Sequence, residues 1–297
     1  MNIDIQPASQ LRTAKVSKIL TFSCVDGPGN RLVIFFQGCN FNCASCHNPH
    51  SIAHCNHCGE CVAECPDNAL TLNAQIQVVW HADKCTGCDK CIDICSFQSS
   101  PKIRDYSLNE LLTIIKDNHL FLNGITVSGG EASLQLPFII SLFKAIKADP
   151  ILQNLTCFMD SNGTLSEQGW NKISPYLDGA MIDLKAWDSS VHEALVGRNN
   201  AAVFRSIDLL SSANKLHEVR LLTIPNQTDY VSNIDVLTTY LNRLPNDVII
   251  RLNAFQHHGV TGEALHWSTC GKEEIVAFKQ LLQKSIPHHI MMPPAFN

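Results

Sequence analysis

The sequence predicts an α/β fold on a parallel sheet, with a cysteine-dense segment set into it. Three observations predict this. Six short apolar runs alternate with helical patterns along the 297 residues. Each run is followed by a small group of polar or glycine residues. Eleven of the fourteen cysteines fall between Cys39 and Cys95. Alternating strands and helices build parallel sheets from βα units. Such sheets place their sites past the C-terminal ends of the strands, where the strand-to-helix loops converge.

The strands are read at Leu32–Phe36, Ile125–Val127, Leu155–Met159, Ala180–Leu184, Val219–Ile224 and Val248–Leu252. Helical stretches such as Leu134–Ile146 and Ile234–Arg243 lie between them. An open (β/α)6 arc and a doubly wound sheet both fit this pattern.

Composition narrows the function. Apolar residues make up 45% of the chain, enough for a full core. The net charge of -5 is mildly acidic and no basic run stands out, which argues against nucleic acid as a partner. No apolar stretch reaches the roughly 18 residues of a membrane span. The N-terminal MNIDIQPASQLRTAK has no apolar signal core, so a cytoplasmic protein is expected. In that reducing setting, crowded cysteines read as metal or cluster ligands rather than disulfides. Cys24, Cys157 and Cys270 stand alone and read as small hydrophobes.

The first cysteine motif, Cys39-x3-Cys43-x2-Cys46, puts three thiols on one loop. Three thiolates can hold three irons of a cubane cluster. A fourth would close it, and this loop has none, so one iron keeps an open position, as catalytic metals require. A structural zinc closed by His47 is the bland alternative, and the adjacent Cys46-His47 pair suits a tetrahedral site poorly. Further on, Cys55, Cys58, Cys61 and Cys65-Pro66 follow C-x2-C-x2-C-x3-C-P. Cys85, Cys88, Cys91 and Cys95 repeat it thirty residues later, with Ser96 in place of proline. In this two-cluster pattern the fourth cysteine of each run ligates the other cluster. Cys55, Cys58, Cys61 and Cys95 are therefore assigned to one [4Fe–4S] cluster, and Cys65, Cys85, Cys88 and Cys91 to a second. Both are closed and suited to carrying electrons.

The three-cysteine loop is similar to that of the radical S-adenosylmethionine (SAM) superfamily. Val25-Asp26-Gly27-Pro28-Gly29-Asn30-Arg31, Phe36-Gln37-Gly38-Cys39 and Cys46-His47-Asn48-Pro49 resemble the activating enzymes of glycyl radical enzymes, the pyruvate formate-lyase activase type. The resemblance covers nearly the whole chain and extends to the cysteine-dense insert, which several such activases share. It implies a partial (β/α)6 TIM-type barrel (1–50 and 101–297) with an inserted ferredoxin-like 2[4Fe–4S] domain (51–100).

The resemblance also implies site residues. Cys39, Cys43 and Cys46 would carry the catalytic cluster. Gly129, Gly130 and Glu131, after the second strand, resemble the motif that meets the SAM amino group. Asp160-Ser161-Asn162-Gly163 and Asp183-Leu184-Lys185 match motifs at the next two strand ends, with Lys185 meeting the SAM carboxylate and Asp160 and Asp183 beside a monovalent cation. Ser45 stands where relatives often carry an aromatic residue near the adenine, so adenine contacts are expected to differ. Arg220, on the fifth strand, is placed at the site, with a structural ion pair as its alternative. After the sixth strand relatives place a histidine near the ribose. Gln256 falls there in a gapless match, and His258 is preferred over His257.

The activity implied is that of an oxidoreductase. SAM is cleaved reductively to a 5′-deoxyadenosyl radical, which takes a hydrogen atom from a glycine Cα of a partner enzyme. Flavodoxin or ferredoxin would donate the electron. A radical SAM reaction on a small molecule and a bare iron–sulfur electron-transfer module are the rival readings.

Overall fold

The computed structural model describes residues 13–293 and 296. The stretch read for a signal core lies, through residue 12, outside the described residues. Strands β1 (Ala14–Ser23) and β2 (Arg31–Phe36) form an antiparallel pair. The cysteine-dense segment follows. It holds two four-residue helices, α1 (Glu60–Ala63) and α2 (Lys90–Asp93), and between them a two-stranded sheet of β3 (Leu70–Leu72) and β4 (Val78–Trp80). It has a small core of its own, formed by Cys61, Leu70, Val78 and Cys91. The chain then returns through β5 (Arg104–Tyr106), which pairs with β1.

The rest is built of βα units. They run α3 (Leu108–Asn118), β6 (Gly124–Gly129), α4 (Leu136–Ala148), β7 (Thr156–Ser161), α5 (Glu167–Ile173) and β8 (Gly179–Leu184). Then come α6 (Ser189–Val196), α7 (Ala201–Ser212), β9 (Leu216–Thr223), α8 (Ile234–Leu241), β10 (Ile249–Ala254), α9 (Lys272–Gln283) and β11 (Ile290–Met291).

The sheet order is β11-β10-β9-β8-β7-β6-β2-β1-β5. Every pair from β2 to β11 is parallel. This order decides between the two architectures the sequence allowed. A doubly wound sheet reverses its strand order at a switch point, so helices cover both faces. Here the order never reverses, and right-handed crossovers then place the helices on one face. The result is an open arc, a partial barrel, with β5 and β11 at its two ends. The six sequence-read strands correspond to β2 and β6–β10. The short β11 and the antiparallel β1 and β5 were not read, nor was the β3–β4 pair. No helix among the described residues is long and apolar enough to cross a membrane.

Strand alternation separates the two faces of the arc. Leu32, Ile34, Phe36, Ile125, Val127, Met159, Ile182, Leu221 and Leu252 face the helices and form the main core. Each such fully buried side chain contributes roughly 1.5–3 kcal/mol. The other face carries polar groups. At its floor sits Arg31, fully buried. Its Nε donates to Thr126 Oγ1 (2.6 Å), and Nη1 donates to Pro28 O (3.1 Å) and Thr156 Oγ1 (2.9 Å). Nη2 donates to the carbonyls of Ile125 and Thr156. With every N–H occupied, burial still pulls the guanidinium down to about 10. Arg31 thus closes the N-terminal end of the arc and leaves the opposite end open.

Candidate active site

A cavity of about 460 Å3 opens at the C-terminal ends of the strands, within the size range of small-molecule sites. Cys39, Cys43 and Cys46 line one side, with Ser45 between the last two. Asp160, Asp183, Lys185 and Arg220 line the other, on β7, the end of β8, and β9.

The cysteine loop is gripped from two directions. From below, the backbone N–H of Asn42 donates to Val196 O (3.1 Å) and that of Ala44 to Leu195 O (3.0 Å), at the end of α6. Arg198 Nε donates to Asn40 O (2.8 Å), and the Phe41 ring meets His192 edge-on. The segment His192–Asn200, to which the sequence reading gave no chemistry, is this grip. From the side, Asn162 Nδ2 donates to Asn40 Oδ1 (2.8 Å). Burial pushes the Cys43 thiol up to about 12 and raises Cys39 and Cys46 as well. Thiolates buried here need positive charge beside them, which metal binding supplies as the protons leave.

The turn after β6 packs against that loop. Gly130 N–H donates to Phe36 O (3.0 Å) and Glu131 N–H to Gly38 O (2.7 Å). A Cβ on Gly130 would lie 2.3 Å from Gly38 O, so only glycine allows this approach. Gly129 and Gly130 line the cavity. Glu131 does not. It is buried, and its carboxylate accepts from Ser133 N (3.0 Å), Ser161 Oγ (2.9 Å) and Asn162 N (2.7 Å). It braces two site loops from behind.

On the polar wall Lys185 Nζ donates to Asp183 (2.9 Å). Burial alone would lower this ammonium, but the charges of Asp183, Cys43 and Cys46 raise it overall. Arg220 donates to Asp160 (2.8 Å) and Glu218 (2.6 Å), and Arg251 also donates to Glu218 (2.8 Å). Arg220 thus both lines the cavity and makes the ion pair that was its alternative reading. Leu184 turns to the helix-side core and is not at the cavity. His258 is exposed and is not itself in the cavity lining. β10 ends at Ala254; in the loop beyond, His257 bonds Trp267 O, Gln256 bonds Cys270 O, and Gly259 packs against the His47 backbone. Asn253 and Ala254, at the end of β10, line the cavity instead, as does His47.

Among the described residues no three His, Cys, Asp or Glu side chains are gathered as ligands of a single metal ion. In the cysteine-dense segment the thiols ring two narrow cavities. One is bordered by Cys65, Cys85, Cys88 and Cys91. The other is bordered by Cys55, Cys58, Cys61 and Cys95, with Cys91 at its edge. Ala69 N–H donates to Cys65 Sγ and Ser99 N–H to Cys95 Sγ. These donor sets fit two thiolate-ligated clusters.

Residues 33–231 match the radical SAM superfamily. The chain belongs to that superfamily, whose chemistry uses a [4Fe–4S] cluster and SAM, so a bare electron-transfer module is set aside. Its curated relatives carry narrower names. The 4-hydroxyphenylacetate decarboxylase activating enzyme of Clostridioides difficile (strain CD196) is 27% identical over 276 residues, covering 86% of this chain and 84% of that one. The pyruvate formate-lyase-activating enzyme of Streptococcus mutans serotype c is 28% identical, with coverage of 79% and 74%. The choline trimethylamine-lyase activating enzyme of Oleidesulfovibrio alaskensis is 26% identical, with coverage of 77% and 78%. Among solved structures, Streptococcus suis SuiB bound to its precursor peptide SuiA matches with a TM-score of 0.53 at 11% identity, over 88% of this chain and 48% of that one. That likeness speaks for the fold alone.

Proposed function

We propose that this chain activates a glycyl radical enzyme by reductive cleavage of SAM. One observation carries the reading. The Cys39–Cys43–Cys46 loop faces the Asp160, Asp183, Lys185 and Arg220 wall across a single ligand-sized cavity. The relatives named as activating enzymes support the choice of substrate, a partner enzyme, over a small molecule.

A [4Fe–4S] cluster bound by Cys39, Cys43 and Cys46 would supply the one electron needed to cleave SAM to methionine and a 5′-deoxyadenosyl radical. The chain's own residues do the rest. Cys39, Cys43 and Cys46 would hold the cluster. Lys185, now paired with Asp183, would meet the SAM carboxylate. Gly129 and Gly130 let the SAM amino end approach the backbone beside the cysteine loop. Ser45 leaves room near the adenine. When Lys185 leaves, Asp183 stands buried without its partner, a costly state. A monovalent cation beside Asp160 and Asp183 would offset it. Hydrogen transfer from a glycine Cα to the deoxyadenosyl radical gives 5′-deoxyadenosine and leaves the radical on the partner.

The segment 51–100 is read as a domain carrying two further [4Fe–4S] clusters, giving three in all. The two four-thiol cavities support this. Flavodoxin or ferredoxin would feed them, and a reducing cytoplasm suits such crowded thiols.

The test is anaerobic. The reconstituted protein is incubated with SAM, a reductant and candidate glycyl radical enzymes, and the partner is examined by EPR. A carbon-centred radical on one partner, formed in step with 5′-deoxyadenosine, is expected. Cleavage of SAM with no radical on any candidate, and turnover of a small molecule instead, would sink the reading.

A further inference from the structure

The two cavities of the cysteine-dense segment are related by the sequence repeat, and their walls differ in the donors they carry. Much is equivalent between them. Ala69 N–H donates to Cys65 Sγ at 3.3 Å, and Ser99 N–H donates to Cys95 Sγ at 3.4 Å. Helices α1 and α2 supply Cys61 and Cys91 in the same way. The Cys65–Cys85–Cys88–Cys91 cavity, however, is also lined by Trp80 and Lys102. The Cys55–Cys58–Cys61–Cys95 cavity has neither, and Val78 and Pro101 are in its wall.

The Nε1–H of Trp80 is buried and finds no acceptor among the described residues. An unpaired buried donor is costly, and an acceptor bound in the cavity would satisfy it. It lines the same cavity as the four thiols. Lys102, paired with the exposed Asp89 at 2.5 Å, adds positive charge to the same wall and favours the reduced state in the same direction. Removing the indole donor alone isolates its share.

An N–H aimed at a cluster sulfur stabilises the reduced, electron-richer state more than the oxidised one, and so raises the reduction potential. We propose that Trp80 donates a hydrogen bond to a sulfur of the cluster held by Cys65, Cys85, Cys88 and Cys91 and sets that cluster at a higher potential than its repeat partner. The added electron then rests on that cluster within the insert. The inference builds on the two-cluster reading of segment 51–100.

Trp80→Phe keeps an aromatic ring and removes the donor. The full chain is reconstituted anaerobically, with iron content reporting cluster number and EPR-monitored redox titration reporting potentials. The expected result is unchanged iron and one insert cluster moved to a more negative potential, the other clusters staying put. The reduced-to-oxidised ratio at the wild-type midpoint should fall about tenfold, or about 59 mV for one electron. Should phenylalanine cost the cluster, benzothienylalanine at position 80, which carries sulfur in place of N–H, makes the same test at constant shape. Unmoved potentials in protein with full iron overturn the proposal alone. Only about four irons per wild-type chain, the content of one [4Fe–4S] cluster, would overturn the two-cluster reading and the proposal with it.

Discussion

The backbone N–H of Asn162 donates to the buried carboxylate of Glu131 at 2.7 Å, tying the end of β7 to the turn after β6. The same carboxylate accepts from Ser133 N and Ser161 Oγ. Burial raises its pKa, and these donors oppose the rise. Asn162 in turn holds Asn40 of the cysteine loop. Three strand-end motifs are thus one hydrogen-bonded unit with Glu131 behind it.

Glu131→Ala should therefore destabilise the apo protein by about 3 kcal/mol, because buried donors lose their acceptor at 1–3 kcal/mol each. Glu131→Gln, which keeps one acceptor oxygen, should lose less. Urea unfolding reads the difference. A loss below about 1 kcal/mol for the alanine variant would show that the brace is not strained by its removal.

Lys185 and Asp183 form a pair 2.9 Å apart at the cavity wall. Lys185→Met leaves Asp183 without its nearest cation; the pair is only partly buried, so the loss should fall below the roughly 3–5 kcal/mol of a fully buried pair. The double variant Lys185→Met with Asp183→Asn should recover most of that stability. It should not recover SAM binding, because the ammonium that meets the carboxylate is gone. Equilibrium dialysis with SAM beside chemical unfolding separates the two effects. Wild-type SAM affinity in the double variant would remove Lys185 from the binding site.

The legibility of the site follows from how locally each residue is determined. Asp160, Lys185 and the cysteines sit directly at a strand end or in a short spaced motif, so the apolar run before them fixes their place. Glu131 is adjacent to such a motif in sequence, but its side chain turns away from the cavity, and only the neighbouring Ser161 and Asn162 explain why. His258 is less legible because it lies in a long loop after β10, where Gln256 and His257 are held by Cys270 O and Trp267 O rather than by a strand register. Asn253 could have been found. It lies two residues after Arg251 on β10 and so shares the inward face. In the fold, β1 was missed because Lys15 and Lys18 break up its apolar pattern. β5 and β11 have three and two residues, too few for any periodicity.

His192 gives a pH dependence with a definite sign. It is fully buried, its Nδ1 bonds Arg198 O at 2.7 Å, and its Nε2 has no partner among the described residues. Burial lowers its pKa below the ordinary 6.5. The unfolded chain therefore takes up a proton before the folded one does as pH falls. The stability linked to His192 is intact above pH 6.5 and is lost as pH falls through the folded value. His192→Asn, whose amide can keep the bond to Arg198 O, should show a flatter decline in urea midpoint between pH 7.5 and 5.5. An identical decline in both proteins would mean that His192 titrates as it does in the unfolded chain.

The segment 51–100 offers a test that separates electron relay from bracing. Its eight cysteines ring two cavities apart from the one that SAM would occupy. Tunnelling weakens steeply with distance, so a cluster buried at the strand ends gains from carriers nearer the surface. Cys58→Ala and Cys88→Ala each remove one ligand, one from each cavity. With a small artificial reductant that reaches the catalytic cluster directly, 5′-deoxyadenosine formation should largely survive in both variants. With flavodoxin or ferredoxin as donor it should fall sharply. The segment is also bonded to the barrel, for instance through Gln37 Nε2 to Ala53 O and Gln98 to Thr261, so a bracing role is the competing account. Bracing predicts lower stability or weaker partner binding, with no dependence on the reductant. Deoxyadenosine yield, measured for each variant with both reductants, distinguishes the two. Equal losses with both, in protein that stays folded and keeps its catalytic cluster, would rule out the relay.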